Sequence, residues 1–107
     1  PAEELQSRLP AENSATVRAR VIQAYEEQIK RQGMLNSALS PQGLEQYACL
    51  NPQAQQILSL AQQRLNLSAR GYHRVLRVAR TIADLNLSAN IESAHVSEAL
   101  SYRGATQ

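Results

Sequence analysis

The stretch LNLSARGYHRVLRVARTIADL, residues 65–85, contains the strongest helical pattern of the chain. Its apolar residues recur every three to four positions, which predicts an amphipathic helix with one face against a core. Ser68 precedes the pattern and is of a residue type favoured at helix N-caps, and we expect the helix to end near Asn86. This segment should be the central helix of the fold.

A cationic stripe follows from the same segment. Arg70, Arg74 and Arg77 are separated by four and then three residues, so on a helix they lie on one side, away from the apolar face. Guanidinium groups are planar, permanently charged and suited to bidentate contact with phosphate or carboxylate. Neighbouring cations on one helix face repel one another. We therefore expect this stripe to meet an anion, with a solvated surface face as the alternative.

Other polar residues favour structural roles. Arg80 lies near the border of the apolar face and Asp84 follows it at the i, i+4 spacing, which predicts an ion pair. His73 and His95 are far apart in sequence and have no group of carboxylates or thiols beside them, so no metal site is expected. We expect His95 to pack or hydrogen bond at the start of the last helix. Cys49 is expected to be a small buried apolar group.

Capping signals predict four further helices. Ser, Thr, Asn and Asp side chains accept hydrogen bonds from free N–H groups at a helix start, and proline is favoured at the first helical position. Strand-like alternation with turn chemistry is absent from the sequence, so we expect an all-α bundle of about five helices around one core. The predicted starts are Asn13 or Ser14, Ser40 with Pro41, Asn51 with Pro52, and Glu92 or Ser93.

The apolar positions within these helices indicate which side chains pack together. The first helix has apolar residues every three to four positions and should end before Gly33, a favoured C-cap residue. Tyr25, Tyr47 and Tyr72 lie on apolar faces, where core packing is favoured over stacking on bases. The apolar set of the first helix is Val17, Val21, Ala24, Tyr25 and Ile29, and that of the last helix is Val96, Ala99 and Leu100.

Composition bounds the class of protein. The chain has 107 residues, 43% of them hydrophobic, which suits a single compact domain. Its net charge of +2 is too small to indicate nucleic-acid binding by itself. Cys49 is the only cysteine, so an internal disulfide is excluded, and no apolar run approaches the ~20 residues of a membrane span. We expect a cytoplasmic protein without a membrane partner.

Several motifs together resemble one protein family. The stretch LSARGYHRVLRVARTIADL, residues 67–85, is followed by I-x-x-x-H-V-x-x-A-L at residues 91–100. Upstream lie Ser-Ala-x-Val-Arg-x-Arg-Val at residues 14–21 and Arg-Gln-Gly-x-Leu-Asn at residues 31–36. This combination resembles the C-terminal domain of magnesium-chelatase-like AAA+ ATPases of the ComM (YifB) type. The resemblance extends over roughly residues 12–103.

The resemblance implies a domain organisation and a site. Residues 1–13 would be a linker from an upstream domain, residues 14–103 the helical lid behind a nucleotide-binding domain, and residues 104–107 a flexible tail. In AAA+ lids an arginine in a Ser/Thr-x-Arg context at a helix start is the sensor 2 residue, which contacts the terminal phosphate of the nucleotide. Ser68, Ala69 and Arg70 match that context.

Arg74 and Arg77 are weaker candidates than Arg70 within the resemblance. They could support Arg70 at the nucleotide, contact carboxylates of an adjacent subunit, or meet DNA. Plain solvation of both side chains is an equal alternative.

The chain contains neither a G-x-x-x-x-G-K-[ST] loop nor an acidic Walker B strand, so alone it should not hydrolyse ATP. ATP and Mg would be bound mainly by the missing upstream domain, and Arg70 would complete that site. The resemblance further implies a homo-oligomeric ring, such as a hexamer, with neighbouring subunits as partners. The intact protein would act on DNA as a branch-migration helicase in natural transformation.

Two alternatives remain open from the sequence. The first is a stand-alone helical module that binds nucleic acid or protein through Arg70, Arg74 and Arg77. The second is a true magnesium chelatase of tetrapyrrole synthesis. The long match at residues 77–85, RVARTIADL, favours the ComM branch over that second alternative.

Overall fold

The computed structural model describes residues 13–105, which form a helical bundle. No strand is present in this part of the chain, and one isolated parallel bridge joins Leu50 to Ile91. The prediction of an all-α fold with about five helices is confirmed. The helices are α1 Ser14–Gln32, α2 Pro41–Tyr47, α3 Pro52–Arg64, α4 Ala69–Leu85 and α5 Ser93–Ala105, with a 3-10 helix at Asn36–Ala38 between α1 and α2.

Side-chain caps fix the starts of the first four α-helices as predicted. In each case the capping oxygen accepts a hydrogen bond from the backbone N–H three residues later, which satisfies one of the free donors of the first turn. Proline occupies the first turn of both α2 and α3. The caps are Asn13 at 2.8 Å, Ser40 at 3.1 Å, Asn51 at 2.8 Å and Ser68 at 3.1 Å.

A histidine ring forms a hydrogen bond at the start of the last helix. The backbone N–H of Glu92 donates to Nδ1 of His95 at 2.9 Å, and the His95 ring is buried. This contact requires Nδ1 to be the unprotonated nitrogen of the ring. The predicted structural role of His95 at this helix start is therefore confirmed.

The central helix is α4. It packs against α1, α2, α5 and the 3-10 helix, while α3 packs against α5. Burial of a Val, Leu or Ile side chain stabilises a fold by roughly 1.5–3 kcal/mol, so the apolar face of α4 is a main source of stability. That face buries Val75, Leu76, Ala79, Ile82 and Ala83, and it meets Leu44, Leu58, Ile91, Val96 and Ala99 in the core.

The apolar pattern of α1 is only partly buried, which corrects one prediction. Ala24 and Gln28 are the buried residues of the helix, whereas Val17, Tyr25 and Ile29 are 44%, 49% and 51% exposed. The prediction that Tyr25 packs in the core is therefore wrong. Periodicity identifies an apolar face, but it does not show how much of that face meets a neighbouring helix. Tyr47 and Tyr72, by contrast, are partly buried against the core as predicted.

Cys49 is exposed, so its prediction as a buried apolar group is wrong. It follows α2 in a short segment whose backbone is paired: the N–H of Ile91 donates to the Cys49 carbonyl at 2.8 Å. Side chains alternate between the two sides of an extended segment. Ala48 and Ile91 are buried here, and the Cys49 side chain is turned outward instead.

The predicted domain limits are only partly covered by the described residues. Residues 1–12 of the predicted linker and residues 106–107 of the predicted tail lie outside them. Asn13, the last residue of that linker, is the N-cap of α1, and α5 extends to Ala105. None of the helices in the described part of the chain is both long enough and apolar enough to cross a membrane.

Candidate functional site

The predicted ion pair between Arg80 and Asp84 is present and almost fully buried. Nη2 of Arg80 lies 3.0 Å from Oδ1 of Asp84, and their side chains are 1% and 3% exposed. The guanidinium also donates to the carbonyls of Ser88 at 2.9 Å and Ala89 at 3.1 Å. Burial lowers the pKa of Arg80, and the Asp84 charge opposes that shift. This pair holds the loop after α4 against the helix.

A second arginine reaches the same carboxylate from α1. Arg31 donates from Nη1 to Oδ1 of Asp84 at 2.8 Å and from Nη2 to Oδ2 at 3.2 Å. The Asn36 amide also donates to Oδ2 of Asp84 at 2.9 Å, and the Asn36 backbone N–H donates to Gln28 Oε1 at 2.8 Å. We call Arg31, Asn36, Arg80 and Asp84 the polar node. It joins α1 and the 3-10 helix to α4.

The polar node gives a structural reason for part of the sequence motif at residues 31–36. Arg31 and Asn36 open and close that motif, and both bind Asp84. The sequence could not have revealed these contacts, since Arg31 and Asp84 are 53 positions apart. Only the local pair of Arg80 with Asp84 left a signal, through its i, i+4 spacing.

The three predicted site arginines lie along one groove at the other end of α4. The groove has a volume of about 730 Å³ and is also lined by Pro41, Ala69 and His73. We call Arg70, His73, Arg74 and Arg77 the cationic groove. The structure therefore brings Arg70, Arg74 and Arg77 together on one side of the helix, as their spacing predicts.

Arg70 and Arg74 are exposed and form no hydrogen bond or ion pair with any residue between 13 and 105. Arg70 is the second residue of α4, where the Ser68 hydroxyl already caps the backbone. The helix dipole disfavours cations at this end by about 0.3–1 kcal/mol each and favours anions. Arg70 in the first turn and Arg74 one turn beyond it are therefore candidate residues for binding an anion.

Arg77 differs from the other two arginines because the fold already uses its guanidinium. Nη1 donates to the backbone carbonyls of Asn36 at 2.6 Å and Leu39 at 3.0 Å, and the side chain is half-buried. The two carbonyls stabilise this cation without any bound anion. Arg77 therefore anchors the 3-10 helix to α4, and it lies at the inner end of the cationic groove.

The remaining edge of the groove contains a histidine paired with a carboxylate. Nε2 of His73 lies 3.1 Å from Oε1 of Glu45 on α2, and the His73 ring meets the Tyr72 ring edge to face. Glu45 is 56% exposed, so this is a surface contact. Among residues 13–105, no three His, Cys, Asp or Glu side chains lie close enough together to hold a metal ion.

The geometry supports binding of a phosphate group rather than proton transfer. Two exposed guanidinium groups supply several N–H donors and positive charge, and they have no acceptor atom. Fixed cations can stabilise charge that develops on a phosphoryl group. The groove is therefore a candidate site for a phosphate group.

Comparison with known proteins points to one family. The sequence profile of the family described as magnesium chelatase, subunit ChlI C-terminal, matches residues 11–103. The competence protein ComM of Haemophilus influenzae is 42% identical over 92 residues, which are 86% of this chain and 18% of that protein.

Two further relatives are proteins named YifB and described as uncharacterized. The Salmonella typhimurium protein is 44% identical over 92 residues, covering 86% of this chain and 18% of its own length. The Escherichia coli protein is 43% identical over 95 residues, which are 89% of this chain and 19% of that protein. The chain thus spans about a fifth of the length of the curated relatives it matches. No solved structure shows a significant match.

Proposed function

The chain belongs to the family of the magnesium chelatase subunit ChlI C-terminal domain, and we propose that it is the helical lid of a larger AAA+ ATPase of the ComM type. The matched residues 11–103 include α1 to α4 entirely and most of α5. The curated relatives are about five times as long as the matched region. The lid would therefore work with a nucleotide-binding domain in the intact protein.

Arg70 is the proposed sensor 2 arginine. The observation that supports this role is its position: it is exposed and unpaired among the described residues, in the first turn of α4 directly after the Ser68 cap. ATP and Mg would be bound mainly by the upstream domain. Arg70 would contact the terminal phosphate, stabilise charge that develops during phosphoryl transfer, and couple the state of the nucleotide to the angle of the lid.

Arg74 is a weaker candidate for the same nucleotide, and Arg77 weaker still. Arg74 lies one turn beyond Arg70 and is equally without a partner in the described part of the chain. Arg77 already donates to two backbone carbonyls. We propose that Arg74 assists Arg70 or meets a neighbouring subunit, and that Arg77 mainly positions the groove.

The intact protein is proposed to be a cytoplasmic ring ATPase, such as a hexamer, that drives DNA branch migration in natural transformation. The name of the competence protein ComM, a relative over 86% of this chain, supports the link to competence. Neighbouring subunits of the ring and DNA would be its partners.

Substitution of Arg70 in the intact protein tests the proposal. Arg70→Ala should lower ATP turnover about a hundredfold, since loss of a preorganised cation at a transferring phosphoryl group costs roughly 3 kcal/mol or more. The fold should remain intact because the side chain is exposed. Arg74→Ala is the matched control and should be milder. Wild-type turnover and DNA remodelling by Arg70→Ala would contradict the sensor assignment.

The alternative is a helical binding module that uses the cationic groove on nucleic-acid phosphates. The unpaired state of Arg70 and Arg74 is equally compatible with that ligand. Under the lid proposal, the 107-residue chain should bind DNA only nonspecifically, at roughly 10–100 µM near physiological salt. Nanomolar binding in a titration, with a salt slope that falls by about one unit on Arg74→Ala, would favour the module instead.

A further inference from the structure

Three apolar side chains on α1 form a second surface that the cationic groove does not use. Ile22, Tyr25 and Ile29 are 50%, 49% and 51% exposed. Their separations of three and four residues place them on one side of the helix. With the adjacent Glu26 and Lys30 they line an almost wholly apolar groove of about 410 Å³. We call Ile22, Tyr25 and Ile29 the α1 seam.

The α1 seam is distinct from the face by which α1 binds the bundle. Ala24, Gln28 and Arg31 form that inner face: Ala24 and Gln28 are buried, and Arg31 binds Asp84 of α4. At 100° per residue, the mean direction of the seam lies roughly a third of a turn away from that of this inner face. Contiguous exposed apolar patches of a few hundred Å² mark interaction sites more often than isolated apolar side chains do.

We propose that the α1 seam is covered, in the intact protein, by an apolar surface of the upstream part of the same polypeptide. The inference deepens the proposed function and rests on it, because it needs the longer protein of which this domain is the lid. The seam would make α1 the element that connects the lid to the nucleotide-binding domain.

The small area of the seam favours an occupant in the same polypeptide over a second copy of the chain. Three half-exposed side chains offer on the order of 300 Å². A stable contact between separate proteins buries about 800 Å² on each partner. A surface in the same polypeptide needs less area because a short tether raises its effective concentration into the millimolar range.

The position of the seam in the sequence also favours the upstream part. α1 is the first described helix, and the family match begins at residue 11. The curated relatives contain about five times the matched length. Ile22 lies only about 14 Å along the helix axis from Asn13, so an upstream domain can reach the seam without a long connection.

The two faces of α1 would then transmit movement. Arg31 in the polar node fixes α1 to α4, the helix whose first turn contains Arg70. The seam would fix the other side of α1 to the nucleotide-binding domain. A change at the nucleotide would thus reach the lid through one helix held on two faces, since packed elements move as rigid bodies.

Hydroxyl-radical footprinting of the intact protein tests the covering of the seam. Tyr25 and Tyr102 are a matched pair, 49% and 50% exposed within this domain. In the intact protein we expect Tyr25 to be oxidised several-fold more slowly than Tyr102. Equal oxidation rates would overturn the proposal.

Diluting the intact protein until its ring dissociates into monomers shows which surface covers the seam. Protection of Tyr25 should persist in the monomer, because the covering surface belongs to the same polypeptide. Protection that disappears when the ring dissociates would assign the seam to a second copy and overturn the proposal.

Two substitutions separate this inference from the proposed function. Ile22→Asp should raise the oxidation rate of Tyr25 to that of Tyr102, whereas Leu60→Asp, at a 47% exposed residue of α3, should leave it unchanged. No effect of Ile22→Asp would contradict the seam. Arg70→Ala should leave Tyr25 protected, so a failed sensor assignment would appear in ATP turnover and not in the footprint.

Discussion

The polar node and the cationic groove lie at opposite ends of α4, and both contain arginines. Those arginines are paired with a carboxylate in the node and, within the described part of the chain, are without a partner in the outer part of the groove. In the node, Arg31 and Arg80 both bind Asp84, whose side chain is 3% exposed. In the groove, Arg70 and Arg74 are exposed and have no partner among residues 13–105. The arginines of α4 therefore differ in their burial and in the acceptors within reach, and their spacing along the helix does not determine this difference.

Arg77 lies between these two extremes and shows where the boundary falls. Its guanidinium is half-buried and donates to the carbonyls of Asn36 and Leu39. Asn36 also donates to Asp84, so the 3-10 helix is held by both regions at once. The free energy of unfolding should therefore depend strongly on the node, moderately on Arg77 and hardly at all on Arg70 and Arg74.

The largest effect on stability is expected at the centre of the node. Asp84→Asn removes the only carboxylate that Arg31 and Arg80 contact in the described part of the chain. It leaves the nearly fully buried Arg80 cation without its counter-charge, and breaking a buried pair in this way costs about 3–5 kcal/mol. Urea unfolding followed by circular dichroism should show a midpoint far below that of the wild type.

Glu45→Gln is the matched control for Asp84→Asn, since it removes the same charge from an exposed pair with His73. Exposed pairs contribute about 0–1 kcal/mol, so its midpoint should stay close to the wild-type value. Similar midpoints for Asp84→Asn and Glu45→Gln would show that the node does not stabilise the fold.

A smaller effect is expected at Arg77. Arg77→Ala removes a donor from two backbone carbonyls: the Asn36 carbonyl keeps its bond from the Leu39 N–H, whereas the Leu39 carbonyl loses its Arg77 donor. A buried acceptor left without a partner costs about 1–3 kcal/mol. Arg74→Ala, one turn earlier on α4, should change the free energy of unfolding by less than about 0.5 kcal/mol. The same urea titration measures both variants. Equal destabilisation would contradict the view that Arg77, which donates to two carbonyls, stabilises the fold more than the exposed Arg74 does.

Local features of the fold could be predicted from the sequence. The caps at Ser40, Asn51 and Ser68 involve neighbouring residues, so their chemistry is visible in the order of the residues alone. The pair of Arg80 with Asp84 is local in the same sense. Both kinds of contact depend on helix geometry that every α-helix shares.

Contacts between distant segments could not be predicted. The bond from Arg31 to Asp84 exists only because α1 packs against α4, and no spacing rule relates those residues. The predicted burial of Tyr25 and Cys49 is wrong for a similar reason: sequence patterns do not show which other segment, if any, covers a side chain. A side chain of suitable type becomes buried only when another element reaches it.

For the candidate site, the sequence predicted which side chains share one helix face but not their contacts. The spacing of Arg70, Arg74 and Arg77 placed them correctly on one side of a helix. The sequence did not show that Arg77 is engaged by carbonyls of the 3-10 helix. The role of Arg70 at a nucleotide came from the Ser-x-Arg context and stays a prediction.

ATP turnover by the intact protein with Arg70→Lys tests the central claim most directly. The substitution keeps the positive charge at an exposed position but replaces the planar fork of the guanidinium by an ammonium group. If Arg70 contacts the terminal phosphate through that fork, turnover should fall well below that of an Arg74→Lys control, with unchanged thermal unfolding. Wild-type turnover by Arg70→Lys and by Arg70→Ala would instead show that the open end of the groove is only a solvated face.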